Sequence, residues 1–238
     1  MAEEFEFQDL SGSVFWGVDL RRSTFRDVDL TGARISHARL VDVSVDAEID
    51  QVVINGVDVT AYVNERDEWF TLRSQVRPTD AAGMRQAWHA FGTAWAATID
   101  RARALPDGRV HQSVDAEWSF VETIRHLVFA TDKWCTVPIL GGSFHPIGLP
   151  NTGSAGLDWP DIDTAARPTI DEAAAVWHQR SRALGDHLAD LDDDSATLDR
   201  EVDIIENGAT AVRHCIGVVF EEHFEHLRYA IRDLDRLG

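Results

Sequence analysis

Cysteine is nearly absent. Cys135 and Cys215 are the only two in 238 residues, too few for a disulfide framework and in keeping with a reducing compartment. Lysine is scarcer still: Lys133 stands alone, and arginine supplies every other basic side chain. Basic charge as a whole is short, with 22 Lys and Arg against 41 Asp and Glu and a formal net charge of −19. A field of that sign repels phosphate backbones, so nucleic acid is not an expected partner. No run approaches the ~18 apolar residues of a membrane span. The opening stretch, Met1 to Phe7, has acid where a secretory signal has base. The expectation is a cytoplasmic protein with no membrane partner. The remaining composition is that of a globular chain, 44% hydrophobic and 26% charged, of a length between one and two domains.

The first fifty residues repeat with a period of five. Phe5, Leu10, Phe15, Leu20, Phe25, Leu30, Ile35, Leu40 and Val45 occupy every fifth position without a miss. Neither a helix period of 3.6 nor a strand period of 2 keeps such residues on one face, whereas a square coil with one apolar residue per side does. Small or β-branched residues stand two positions earlier, among them Ser13, Val18, Ser23, Val28, Ala33, Ala38 and Val43, and fit the same narrow column. Segments such as Phe25–Ala33 resemble the pentapeptide-repeat family. That resemblance implies a right-handed quadrilateral β-helix with four repeats per coil and the large residues as its core. Nine centres make little more than two coils, about 10 Å of stack at ~4.8 Å each. Residues 1–50 carry eleven acids and five arginines, so their charge suits an imitation of DNA, but the length does not. Such a stub spans only about three base pairs.

Beyond it, Asn55-Gly56 between valine-rich runs signals a turn, and a short strand or hairpin is expected to cap the coil. From residue 78 the period becomes helical. Thr79 or Asp80 starts a helix through Leu105 carrying Trp88, Phe91, Trp95 and Ile99, and Pro106–Gly108 stops it. Ser113 or Asp115 starts a second, with Trp118, Val121, Leu127, Val128 and Trp134. Most of the prolines then fall in an irregular connection over 136–168. A third helix runs from Thr169 or Asp171 to Leu191, an extended piece follows at 196–206, and a fourth covers Val212 to Leu237. Four amphipathic helices with one long crossover read as a four-helix bundle whose second and third helices run parallel. The expected organisation is α+β by composition: 1–50 β-helix, 51–77 cap and linker, 78–238 all-α bundle. A tryptophan-rich outer face would suit a homodimer.

The fourth helix holds the residues most capable of chemistry, in the run Glu221-Glu222-His223-Phe224-Glu225-His226. Glu222 and His226 stand four apart and project from one helix face, and the apolar stripe turns at least one of His223 and His226 toward the core. A carboxylate and an imidazole one turn apart inside a bundle are a recurrent metal-binding pair. A hydrogen-bonded polar patch is the competing reading. The second helix supplies a third candidate, His126, in the segment Trp118–Trp134. That segment and the run from Glu225 to Asp235 resemble the DinB-like superfamily, over roughly residues 78–238. A pentapeptide stub before such a bundle also resembles an architecture of actinobacterial proteins.

The resemblance implies a divalent metal held by His126, Glu222 and His226, zinc first and nickel, manganese or iron as alternatives. His223 is the alternative ligand or a supporting acid or base. The superfamily commonly has His-x-x-x-His where this chain has Glu222-x-x-x-His226, a form similar to that of its mycothiol-dependent maleylpyruvate isomerases. By the same resemblance the function is that of a metal-dependent transferase or isomerase using a low-molecular-weight thiol, or of a hydrolase, acting on a small molecule. Arg228 and Arg232 are candidates to pair with an anionic substrate group, against the alternative of ion pairs with Glu225 or Asp233. The other class of function is a non-catalytic metal-binding or protein-interaction module that uses the repeat segment as its surface. Cys135 and Cys215 read as buried small hydrophobes.

Overall fold

The computed structural model describes residues 4–5, 8–26, 28–106, 108–192 and 195–238. Asp27 of the quoted repeat segment and Asp107 of the helix-stopping turn lie outside them. The chain divides into two compact units, Met1–Asp46 and Ala47–Gly238.

In the first unit the five-residue period is written into the backbone. Left-handed φ angles occur at Gly12, Gly17, Arg22, Gly32, His37 and Asp42, one corner for each five residues. Asp9, Asp19 and Asp29 each accept a hydrogen bond from the backbone N–H two residues on, at 2.9, 3.1 and 2.8 Å. Such Asx turns set up the corner that follows. Among the described residues of this unit no strand is present. The repeat centres, expected as a filled column, are 40–76% exposed. Among the described residues the backbone hydrogen bonds of this unit are local, Leu10–Ser13, Leu20–Ser23 and Leu30–Ala33, and none joins residues one coil apart.

The second unit opens with the expected hairpin. Strands β1 (Val53–Ile54) and β2 (Val57–Asp58) pair antiparallel, joined by Asn55 and Gly56, both at positive φ as a two-residue primed turn requires. Two short helices, α1 (Thr60–Asn64) and α2 (Phe70–Arg73), lead to α3 (Ala81–Arg103), capped by Asp80 through a 2.6 Å bond from the Gly83 N–H. The second long helix, α4 (Phe120–Thr131), begins later than expected. Asp115 and Ala116 are left-handed and break the chain, and the capping box is Ser119 with Glu122. The helix leaves through a π-helical turn, Asp132–Thr136. Helix α5 (Ile170–Asp190) starts on a Thr169–Glu172 capping box. A single helical turn, α6 (Ser195–Leu198), and a hairpin of β3 (Glu201–Ile204) with β4 (Gly208–Ala211) occupy the stretch expected to be merely extended. Helix α7 (Val212–Leu237) follows directly.

The cross-helix bonds give the directions. Arg85 on α3 reaches Leu191 beyond the end of α5, and Arg103 reaches Asp171 at its start, so these two helices are antiparallel. Arg125 meets residues 163 and 164 just before α5, while Asp132 meets Arg180 within it. Helices α4 and α5 are therefore parallel, as the long crossover requires. Against α7, α4 is antiparallel, with Cys135 near Cys215 and Glu117 near Asp233 and Arg232. The bundle core is Trp95, Ile99, Ile124, Leu127, Trp177, Leu227 and Leu234 toward one end and Phe91, Leu184, Ile216 and Phe220 toward the other. Each large side chain buried this way contributes ~1.5–3 kcal/mol. The tryptophan face considered for a dimer is turned inward: Trp88, Trp95, Trp159 and Trp177 are buried, and the highly exposed Trp16 belongs to the repeat unit.

The 136–168 connection is irregular but pinned. Phe144 and Trp159 pack on Phe129 of α4. The π turn places Lys133 where its Nζ lies 2.7 Å from Glu206 at the hairpin tip, over the Trp159 ring. Ser154 donates to the same Glu206 oxygen at 2.8 Å.

Candidate metal centre

His126 projects from the middle of α4, and Glu222 and His226 from consecutive turns of the antiparallel α7. His126 Nε2 and His226 Nε2 each lie 3.2 Å from Glu222 Oε2, and one ligand atom from each of the three falls within 4.8 Å of the others. Side-chain exposure rises from 3% at His126 to 17% at His226 and 27% at Glu222, so the cluster is rooted in the bundle and opens outward. The Trp118 ring covers the two imidazoles, with centroids 4.6 Å from His126 and 5.8 Å from His226, and Tyr229 flanks His226 at 6.1 Å.

The hydrogen bonding fixes what each atom offers. His126 Nδ1 lies 3.0 Å from the Leu149 carbonyl. That oxygen only accepts, so Nδ1 carries a proton, and whenever the ring holds no second proton its Nε2 lone pair faces Glu222. A lone pair and a carboxylate oxygen facing each other at this distance need a proton or a cation between them. Burial alone would raise the Glu222 carboxyl. The hydrogen bonds and charges of the two histidines outweigh it and hold the group far below the usual carboxylate range, as an anion. Two imidazole nitrogens and one carboxylate oxygen form a donor set that suits zinc, an ion that takes a further ligand beside three protein donors.

His223 stands apart from this cluster, contrary to its reading as an alternative ligand. It is 1% exposed, its Nδ1 donates to the Val219 carbonyl at 2.8 Å, and its Nε2 accepts from the Trp177 indole at 3.2 Å. Burial pushes its pKa down to about 4, so it is a neutral core residue. Arg228 and Arg232 are also engaged by the protein: Arg228 with Glu225 at 3.1 Å, Arg232 with Asp233 and Glu117. The ion-pair alternative describes both. Burial drives the Cys135 thiol well up and Cys215 up to about 11, so neither is a thiolate near neutrality.

A family model for the DinB superfamily matches residues 90–230, a span that contains all three converging side chains. The chain belongs to the DinB superfamily. Pentapeptide repeats match in eight copies over residues 9–44. No curated protein and no solved structure matches the chain. No helix among the described residues of this DinB protein is long and apolar enough to cross a membrane.

Two participants escaped the sequence reading. Trp118 read as a core residue of a helix beginning at 113–115, whereas it precedes the helix and roofs the site; the Ser119-x-x-Glu122 capping signature marks that boundary in the sequence. The Leu149 carbonyl, which sets the His126 tautomer, is a backbone atom of the long connection and has no sequence signal.

Proposed function

We propose that this DinB-superfamily chain is a divalent-metal-dependent enzyme of the thiol transferase or isomerase type, with His126, Glu222 and His226 as ligands and zinc as the preferred ion. The observation that carries the proposal is the convergence of His126 Nε2, His226 Nε2 and Glu222 Oε2 in one place, with the other His126 nitrogen spent on the Leu149 carbonyl. When bound, the ion would supply an open coordination position at which a thiol or water gives up its proton more readily. The residues divide the remaining work. The Leu149 carbonyl orients His126, Glu222 supplies the negative charge, and Trp118 keeps water from one side of the imidazoles. The buried Cys135 and Cys215 are unsuited as nucleophiles, which favours a thiol brought by a cosubstrate. In the repeat unit we propose a short right-handed quadrilateral β-helix, supported by left-handed corners at five-residue spacing from Gly12 to Asp42 among the described residues.

The test is metal analysis of the purified protein and of His126→Ala, followed by thiol consumption with a haloaromatic electrophile. Near-stoichiometric metal lost in the variant, with thiol turnover in the parent, is the expected result. An absence of bound metal would remove the enzyme reading. Metal without turnover across several thiols would favour the interaction module, for which the 89% exposed Trp16 offers a contact residue.

A further inference from the structure

A second cavity opens beside the first turns of α4. It has a volume of about 280 Å³ and is lined by His111, Ser119, Glu122, Arg125 and Arg167, among others. Glu122 and His126 are four apart on α4, so the cavity lies about one helical turn, ~6 Å, from the candidate metal ligand.

Arg125 decides its character. The residue is 1% exposed. Its Nε donates to the Ile147 carbonyl at 2.8 Å, and its Nη2 to the carbonyls of Asp163 and Thr164 at 3.1 and 3.2 Å. Carbonyl oxygens satisfy N–H groups but cancel no charge, and among the described residues no carboxylate forms an ion pair with this guanidinium. Nη1 makes none of these bonds. Burial, and after it the charge of Arg167, pushes the Arg125 pKa below its ordinary value, and Glu122 and Asp163 oppose this without cancelling it.

Arg167 adds a second cation. Its Nη1 donates to the Ala165 and Ala166 carbonyls at 3.1 and 2.9 Å, and it too makes no ion pair among the described residues. The acid on the lining, Glu122, spends one oxygen on the Ser119 N–H and hydroxyl, at 2.9 and 2.7 Å, and its charge acts on both arginines. On the lining itself two guanidinium groups stand against one carboxylate, an excess of one positive charge, with Asp163 the further acid near Arg125. This is the reverse of a chain whose net charge is −19. A single excess charge fits a monoanion, and planar guanidinium groups match the planar carboxylate.

We propose that this cavity binds the carboxylate of a small organic acid, held by Arg125 Nη1 and Arg167, and that it receives the anionic end of the substrate whose other end reaches His126. The second half rests on the metal-centre reading; the first does not. It also supplies the anion-binding role that Arg228 and Arg232, paired with acids, do not fill.

Calorimetric titration of the full chain with pyruvate tests the proposal, in zinc-loaded and chelator-treated protein, with inorganic phosphate as the comparison. Pyruvate is expected to bind in both preparations and more tightly than phosphate. Arg167→Gln, an exposed position, is expected to weaken it about tenfold or more, and Arg125→Met to abolish it. Should Arg125→Met fail to fold, the Arg167→Gln comparison decides alone. No binding, equal affinity in Arg167→Gln, or tighter binding of phosphate overturns the assignment. So does pyruvate binding that needs zinc and vanishes in Glu222→Gln, because the anion is then on the metal. A protein that holds no zinc yet binds pyruvate through Arg167 defeats the metal reading and leaves this one standing.

Discussion

Replacing Glu222 by Gln separates the metal reading from a simple polar patch, because the two predict opposite signs. The amide keeps the side chain's shape while exchanging an anionic acceptor for a group that can also donate. In the metal-free wild type a His126 ring protonated at Nδ1 alone sets its Nε2 lone pair against Glu222 Oε2 at 3.2 Å. In Glu222→Gln the new N–H₂ group meets that lone pair, a hydrogen bond with a net value of ~0.5–1.5 kcal/mol. The metal-free variant is therefore expected to be as stable as the wild type or slightly more so. Zinc reverses the order. At about 1,000 times its Kd it stabilises the wild type by ~4 kcal/mol. For a unit the size of Ala47–Gly238 this corresponds to roughly 8–16 °C in Tm. The variant, deprived of its anionic ligand, should gain only a small part of that shift. Thermal melts of both proteins, with chelator and with zinc, read all four values. A metal-free variant less stable than wild type by more than ~1 kcal/mol, or equal zinc shifts in the two proteins, would refute the reasoning.

Three further outcomes follow from other parts of the bundle. His223→Ala leaves the Trp177 indole without its acceptor and opens a cavity, so urea melts should show a loss of about 2–5 kcal/mol; metal content per folded chain should not change, and a loss of metal would make His223 a ligand after all. Asp132, 0% exposed, is paired with Arg180 at 2.7 Å; Asp132→Ala should cost about 3–5 kcal/mol by chemical denaturation, and a near-neutral result would contradict the buried pair. Burial tends to raise the Glu206 carboxyl, but Lys133 and Ser154 outweigh it and hold the group below its ordinary 4.5. Its contribution to stability is thus complete above that pH and lost as the pH falls through the lower folded value. Denaturation midpoints of wild type and Glu206→Gln should differ at pH 7 and converge in acid; a constant gap counts against the linkage.

Much of this architecture could be read from residues whose effect is local. Asp80 and Thr169 cap their helices through N–H groups three residues away, so both helix starts were visible. Asn55-Gly56 made its turn for the same reason, and the spacing of Glu222 and His226 already placed them on one face. The convergence of His126 was different: 96 residues separate it from Glu222, and no local spacing links the two, so only the family resemblance pointed to it. The π turn at Asp132–Thr136 and the hairpin tip at Glu206 depend on partners far along the chain. Arg125 carries no sequence signal of its own, because its burial is imposed by carbonyls of the long connection. The repeat period was plain in sequence, because each corner is a local turn, but the exposure of its centres was not.

The solitary lysine gives the molecule an unusual reporter. Apart from the terminal α-amino group, acylating reagents, reductive methylation and isopeptide-linked tags find one acceptor, Lys133, 9% exposed and clasped by Glu206. Reaction there requires the tip of the β3–β4 hairpin to let go. The rate of labelling at this one amine therefore measures how often that clasp opens, and a ligand that tightens the long connection should slow it.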